Sequence, residues 1–66
     1  MINTNKLLGI FAENGKNKSE VAKILGISPK TLGEKLKKGV FGSDEIQTMI
    51  DTFNIDDPVS IFFAHE

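Results

Sequence analysis

The sequence predicts an all-α fold of five short helices packed as one compact domain. Three observations predict it. Apolar residues recur at three- and four-residue spacings, and no run alternates apolar with polar, so the helical period is present and the strand period is not. Glycines 15, 26 and 39 each stand just after such a segment, where a left-handed residue ends a helix. Asn, Ser or Asp, the side chains that cap helix starts, stand before the segments.

Helix 1 is expected from Asn5 to Asn14, with Thr4 or Asn3 as cap and Leu7, Ile10 and Phe11 at helical spacing. Helix 2 is expected from Lys18 to Leu25. Asn17 caps it, and Glu20, three residues on, completes a capping-box pattern. Val21, Ala22, Ile24 and Leu25 form its apolar face, and Gly26 ends it. Helix 3 is expected from Pro29 to Lys37 or Lys38. Ser28 is its cap, and Pro29 takes the first helical position, where a missing N–H costs nothing. Leu32 and Leu36 form a narrow apolar stripe, and lysines crowd the last turn, where they complement the dipole. Helix 4 is expected from Asp44 to Phe53 with Ser43 as cap, and Ile46, Met49, Ile50 and Phe53 follow the apolar period. Helix 5 is expected from Pro58 to about Ala64 with Asp57 as cap.

Composition excludes several classes. A chain of 66 residues buries only about 60% of its unfolded surface and leaves little room for a pocket with a catalytic set. No paired carboxylates, nucleophile–base set or phosphate loop is visible, so neither an enzyme nor a cofactor is expected. Cysteine is absent, and the single histidine, His65, cannot build a zinc site alone and is expected in solvent. Asp56-Asp57 resembles a metal pair, but capping by Asp57 explains it better. Apolar runs such as Ile61–Ala64 fall far short of the roughly 20 residues of a membrane span. The N-terminal stretch lacks a signal peptide's core and cleavage site. A cytoplasmic protein with no membrane partner and no small-molecule substrate is the expectation.

The net charge of −1 is unevenly distributed. Residues 16–38 hold seven lysines against Glu20 and Glu34, a balance of +5. Residues 39–66 hold six carboxylates and no lysine, a balance of −6. That split points to a basic working face and an acidic remainder. Solvated helix surfaces with acidic helix starts would give the same pattern.

The informative stretch is residues 17–39, NKSEVAKILGISPKTLGEKLKKG. Ala22 is small where a second helix crosses. Gly26 permits a left-handed turn, Ile27 plugs the angle, and Leu32 packs back onto helix 2. Val21-Ala22, Leu25-Gly26-Ile27-Ser28 and Thr31-Leu32 resemble the helix-turn-helix of the phage repressor and Cro superfamily. Phe41 ahead of helix 4, and the ending from Asp57 to Ala64, resemble small Cro-like phage proteins. The resemblance implies a lambda-repressor-like domain over residues 1–66 that regulates transcription by binding double-stranded DNA in a sequence-specific way. Two departures stand out. The second apolar residue of helix 3, Leu36, comes four residues after Leu32 where three is usual, and the chain has no arginine, the commonest reader of guanine.

By that resemblance helix 3 enters the major groove. Ser28, Pro29, Lys30, Gly33, Glu34 and Lys37 are the candidate base contacts. Lys30 donates to guanine or thymine acceptors. Glu34 accepts from cytosine or orients a lysine. Gly33 either admits the groove closely or is a tolerated helix defect. Lys16, Asn17, Lys18, Thr31, Lys35 and Lys38 are the candidate phosphate contacts, with plain solvation as the alternative for one or two of them.

Leu7, Ile10, Val21, Ala22, Leu25, Ile27, Leu32, Leu36, Phe41, Ile46, Ile50 and Phe53 read as core, with Met49 as packing. In helix 5, Val59, Phe62 and Phe63 are expected on one side and Ile61 nearly opposite. A helix apolar nearly all round predicts a homodimer through Ile55, Val59, Ile61, Phe62 and Phe63 on a pseudopalindromic operator. The alternative for the helix is docking on its own core. The alternative for the whole chain is a protein-interaction module, antirepressor or antitoxin-like, on the same scaffold.

Overall fold

The computed structural model describes residues 2–63. Five helices follow in order: α1 Thr4–Glu13, α2 Lys18–Leu25, α3 Pro29–Lys38, α4 Ser43–Phe53 and α5 Pro58–Phe62. Among the described residues there is no strand. The end expected for helix 5 at Ala64, and the solvent position expected for His65, lie outside the described residues.

The helix ends follow the local chemistry. Asn3 caps α1, its side chain accepting the Lys6 N–H at 3.1 Å. Thr4 is thereby free for another task, and its hydroxyl donates to the Leu36 carbonyl at 3.2 Å, tying α1 to the end of α3. Asn17 and Glu20 close a full capping box on α2, and Ser28 caps α3. Gly26 and Gly39 end α2 and α3 with φ of 72° and 69°, in the left-handed region that glycine enters without the Cβ penalty. Helix 4 begins one residue earlier than its sequence signals. Gly42 is the cap and Ser43 the first helical residue. The Glu45 carboxylate reaches back to the Gly42 N–H at 2.8 Å, so the cap is drawn to the residue three before Glu45.

One core joins all five helices. Leu7 and Phe11 of α1, Val21 and Ala22 of α2, Leu32 and Leu36 of α3, Met49 and Phe53 of α4, and Ile61 and Phe62 of α5 are buried, together with Ile2 and Phe41. Ile10, Leu25, Ile27, Ile46, Ile50 and Ile55 are partly buried against it. Phe11 and Phe53 meet at 5.5 Å between ring centroids, tilted by 50°, a favourable aromatic geometry. α2 packs on α3 and α4, and α1 packs on α5. The Asn3 N–H donates to the Ile61 carbonyl at 2.6 Å, which fastens the start of the chain to α5.

That tether accounts for a correction in α5. Ile61 and Phe62 are 5% and 3% exposed and belong to the chain's own core, so neither is free surface for a partner. Ile55 is half-buried against the same core. Phe62 therefore shares the buried side with Ile61, away from Val59 and Phe63. Those two are 63% and 58% exposed.

Candidate nucleic-acid interface

α2 and α3 cross through a turn closed by two backbone hydrogen bonds. The Ile27 N–H donates to the Ala22 carbonyl at 2.9 Å, and the Gly26 N–H donates to Lys23, which together close the end of α2. Ala22 and Leu32 have no exposed surface, so the small residue and the returning leucine sit where the helices meet. Ser28 then starts α3. Its Oγ accepts the Thr31 N–H at 3.1 Å and donates to Thr31 Oγ1 at 2.9 Å.

With Leu32 and Leu36 buried, the outer side of α3 is set by subtraction. Glu34, two residues from each leucine, lies opposite them. Lys30, Glu34 and Lys37 are exposed, as are Ser28 and Pro29 at the helix start, while Gly33 is half-buried. A Cβ added at Gly33 would meet nothing within 4 Å, so no packing inside the chain demands glycine there. The Ser28 hydroxyl is already committed to its cap, which leaves Lys30, Glu34 and Lys37 as the protruding functional groups. Thr31 is half-buried; because it accepts from Ser28, its own hydroxyl proton remains available to an outside acceptor.

The start of α2 holds further expected phosphate contacts. Lys16, Asn17 and Lys18 are exposed. Within the capping box the Glu20 N–H goes to Asn17 Oδ1 at 2.8 Å and the Asn17 N–H to Glu20 Oε1 at 3.0 Å. Two of the four N–H groups that a helix start leaves over are thereby closed. Those of Lys18 and Ser19 are the ones the box does not use. Ser19, also exposed, is a residue that motif reading passed over.

Lys35 is placed differently from its neighbours. Lys37 and Lys38 are exposed, but Lys35 Nζ donates to Glu45 Oε1 at 2.8 Å, and the two side chains are 31% and 15% exposed. Its ammonium is directed to α4, unlike those of its exposed neighbours Lys37 and Lys38. The pair stands where the usual second apolar residue of such a helix, three after Leu32, would be. Burial pushes the Glu45 carboxyl up, but hydrogen bonds from Lys35 and the Gly42 N–H, with the Lys35 charge, outweigh it and hold it below its usual value of 4.5. The stability this gives is present above pH 4.5 and is lost as pH falls through the lowered value.

Other features stay apart from α3. A groove of about 410 Å³ lies between α1 and the α4–α5 connection, lined by Ile10, Phe53 and Ile55 with polar residues around them, and includes no residue of α2 or α3. Asp57 caps α5, its side chain accepting the Ser60 N–H at 3.3 Å. No helix among the described residues is long and apolar enough to cross a membrane.

Residues 12–39 match the family model described as bacterial regulatory protein, Fis family. No curated protein and no solved structure matches the chain significantly. The matched span covers less than half of the chain, but it runs from the end of α1 to the glycine that stops α3, and so takes in both crossing helices and their turn. Turn geometry and family match agree over this span: residues 12–39 of the all-α chain are similar to the helix-turn-helix of a DNA-binding regulator family.

Proposed function

We propose that the protein is a sequence-specific transcriptional regulator that occupies DNA with α3 in the major groove, in the manner of a Cro-like phage or prophage repressor. The observation that carries this reading is the face of α3: a helix clamped by Leu32 and Leu36 that turns Lys30, Glu34 and Lys37 outward. Lysine ammoniums match guanine and thymine acceptors, and a carboxylate matches the cytosine amino group. Lys16, Lys18 and Lys38, with Asn17 and the Thr31 hydroxyl, supply the phosphate contacts that set affinity and register. Repression then needs no chemistry, since an occupied operator excludes polymerase. Val59 and Phe63, one helical turn apart and exposed, offer the surface for a second copy. Two-fold pairing would set two recognition helices about 34 Å apart on successive turns of a pseudopalindromic site.

Fluorescence anisotropy tests the reading. Random duplex should bind with a Kd of roughly 10⁻⁴–10⁻⁶ M, weakening steeply with salt. Lys18→Ala should weaken all duplexes alike, whereas Lys30→Ala should relax preference at particular base pairs of a selected site, by about 1–3 kcal/mol of discrimination. An even loss on every sequence for both variants would remove Lys30 from readout.

Gly33 separates packing from groove contact. Gly33→Ala should stabilise the fold by about 1 kcal/mol in urea denaturation, because alanine is the better helix former and space is open. The same variant should lose duplex affinity, because its methyl stands where the helix backbone approaches the bases. Unchanged affinity would reduce Gly33 to a tolerated helix defect.

A further inference from the structure

α3 presents Lys37 and Lys38 freely to solvent but has its third C-terminal lysine held from the side. Glu45 Oε1 accepts both from Lys35 Nζ and from the Gly42 N–H, each at 2.8 Å. The carboxylate is thus anchored by the start of its own helix before it engages α3. From the other flank, the Thr4 hydroxyl donates to the Leu36 carbonyl, the residue next to Lys35. The C-terminal half of α3 is therefore gripped from α4 through a side chain and from α1 through its backbone. On a surface meant for a polyanion, one cation is neutralised within the fold.

We propose that Glu45 is a positioning residue: it withholds Lys35 from DNA phosphates and thereby fixes the seat of α3 against α4. This rests on the DNA-binding reading above. Lys35 sits at the flank of α3, between the leucine stripe and the outer face. Its flexible stem would carry the ammonium outward to a phosphate once the carboxylate charge is gone. Glu45→Gln removes that charge and keeps an oxygen that accepts the Gly42 N–H, so the helix start is preserved.

Two measurements on the full chain test the proposal. In an NMR titration, the Glu45 carboxyl should titrate below the usual glutamate value in the wild type and move upward in Lys35→Met. No movement would overturn the pair. In anisotropy with a 20-base-pair random duplex across salt concentrations, Lys35→Met should keep the wild-type dependence of log K on log salt. Glu45→Gln should steepen it by about 0.9, the effect of one added phosphate contact. The double variant should return to the wild-type slope, which a merely structural role of Glu45 would not produce. A shallower slope for Lys35→Met, or an unchanged one for Glu45→Gln, overturns the withholding of Lys35. Absence of duplex binding by the wild type at every salt concentration sinks the DNA reading and the withholding with it, while the titration decides the ion pair separately.

Discussion

Leu32→Ala should lower the stability of the domain by about 2–5 kcal/mol. The side chain has no exposed surface and lies where α3 returns onto α2, beside Val21 and Ala22, which are also fully buried. Truncation removes its transfer free energy and opens a cavity that two helices joined by a three-residue connection cannot collapse around. A domain of this length holds only about 3–10 kcal/mol in total, so one substitution removes much of the margin. The thermal midpoint should fall by roughly 10–30 °C. Lys30→Ala, two residues away on the exposed side, should change stability by no more than about 0.5 kcal/mol. Circular dichroism melts of the two variants read the contrast. A loss below 1 kcal/mol for Leu32→Ala would mean that the buried stripe does not hold α3 in place, and the outward face inferred from it would lose its basis.

What the sequence makes legible depends on how local the cause is. Both ends of α2 and α3 carry their own chemistry: Asn17 with Glu20, Gly26, Ser28 with Pro29, then Gly39. The expected and observed boundaries of these helices agree. The exposed side of α3 follows from Leu32 and Leu36 alone. The start of α4 is different. Gly42, Ser43 and Asp44 all suit a cap, and the choice falls to Gly42 through Glu45, whose carboxylate is also bound to Lys35 ten residues away. That same pairing separates Lys35 from Lys37 and Lys38, three identical side chains within about one helical turn. The facing of α5 was equally hidden. Five residues carry too little period to orient a helix, and the Asn3–Ile61 hydrogen bond that fixes it spans nearly the whole chain. Ile2 is buried by the same closure, though nothing around it in the sequence marks it as core.

Phe62→Glu and Phe63→Glu, adjacent substitutions of one kind, should have opposite consequences. Phe62 is 3% exposed, and a carboxylate in its place would lose the ring's packing and stand unpaired in an apolar interior. The loss, at least the 3–5 kcal/mol of a buried Phe→Ala change plus the cost of burying the charge, is enough to unfold a domain this small. Its circular dichroism should show a disordered chain at 25 °C. Phe63 is 58% exposed, so the same carboxylate there is solvated and the fold should persist. What changes instead is association. If Val59 and Phe63 form the contact between two copies, the charge is repeated across the two-fold axis and like charges face each other. Sedimentation equilibrium should then give the mass of one chain for Phe63→Glu and of two for the wild type. A folded Phe63→Glu that sediments with the wild-type mass would take α5 out of the interface. A wild type that is already a single chain would leave operator binding to one recognition helix at a time, without the symmetric half-sites that pairing would impose.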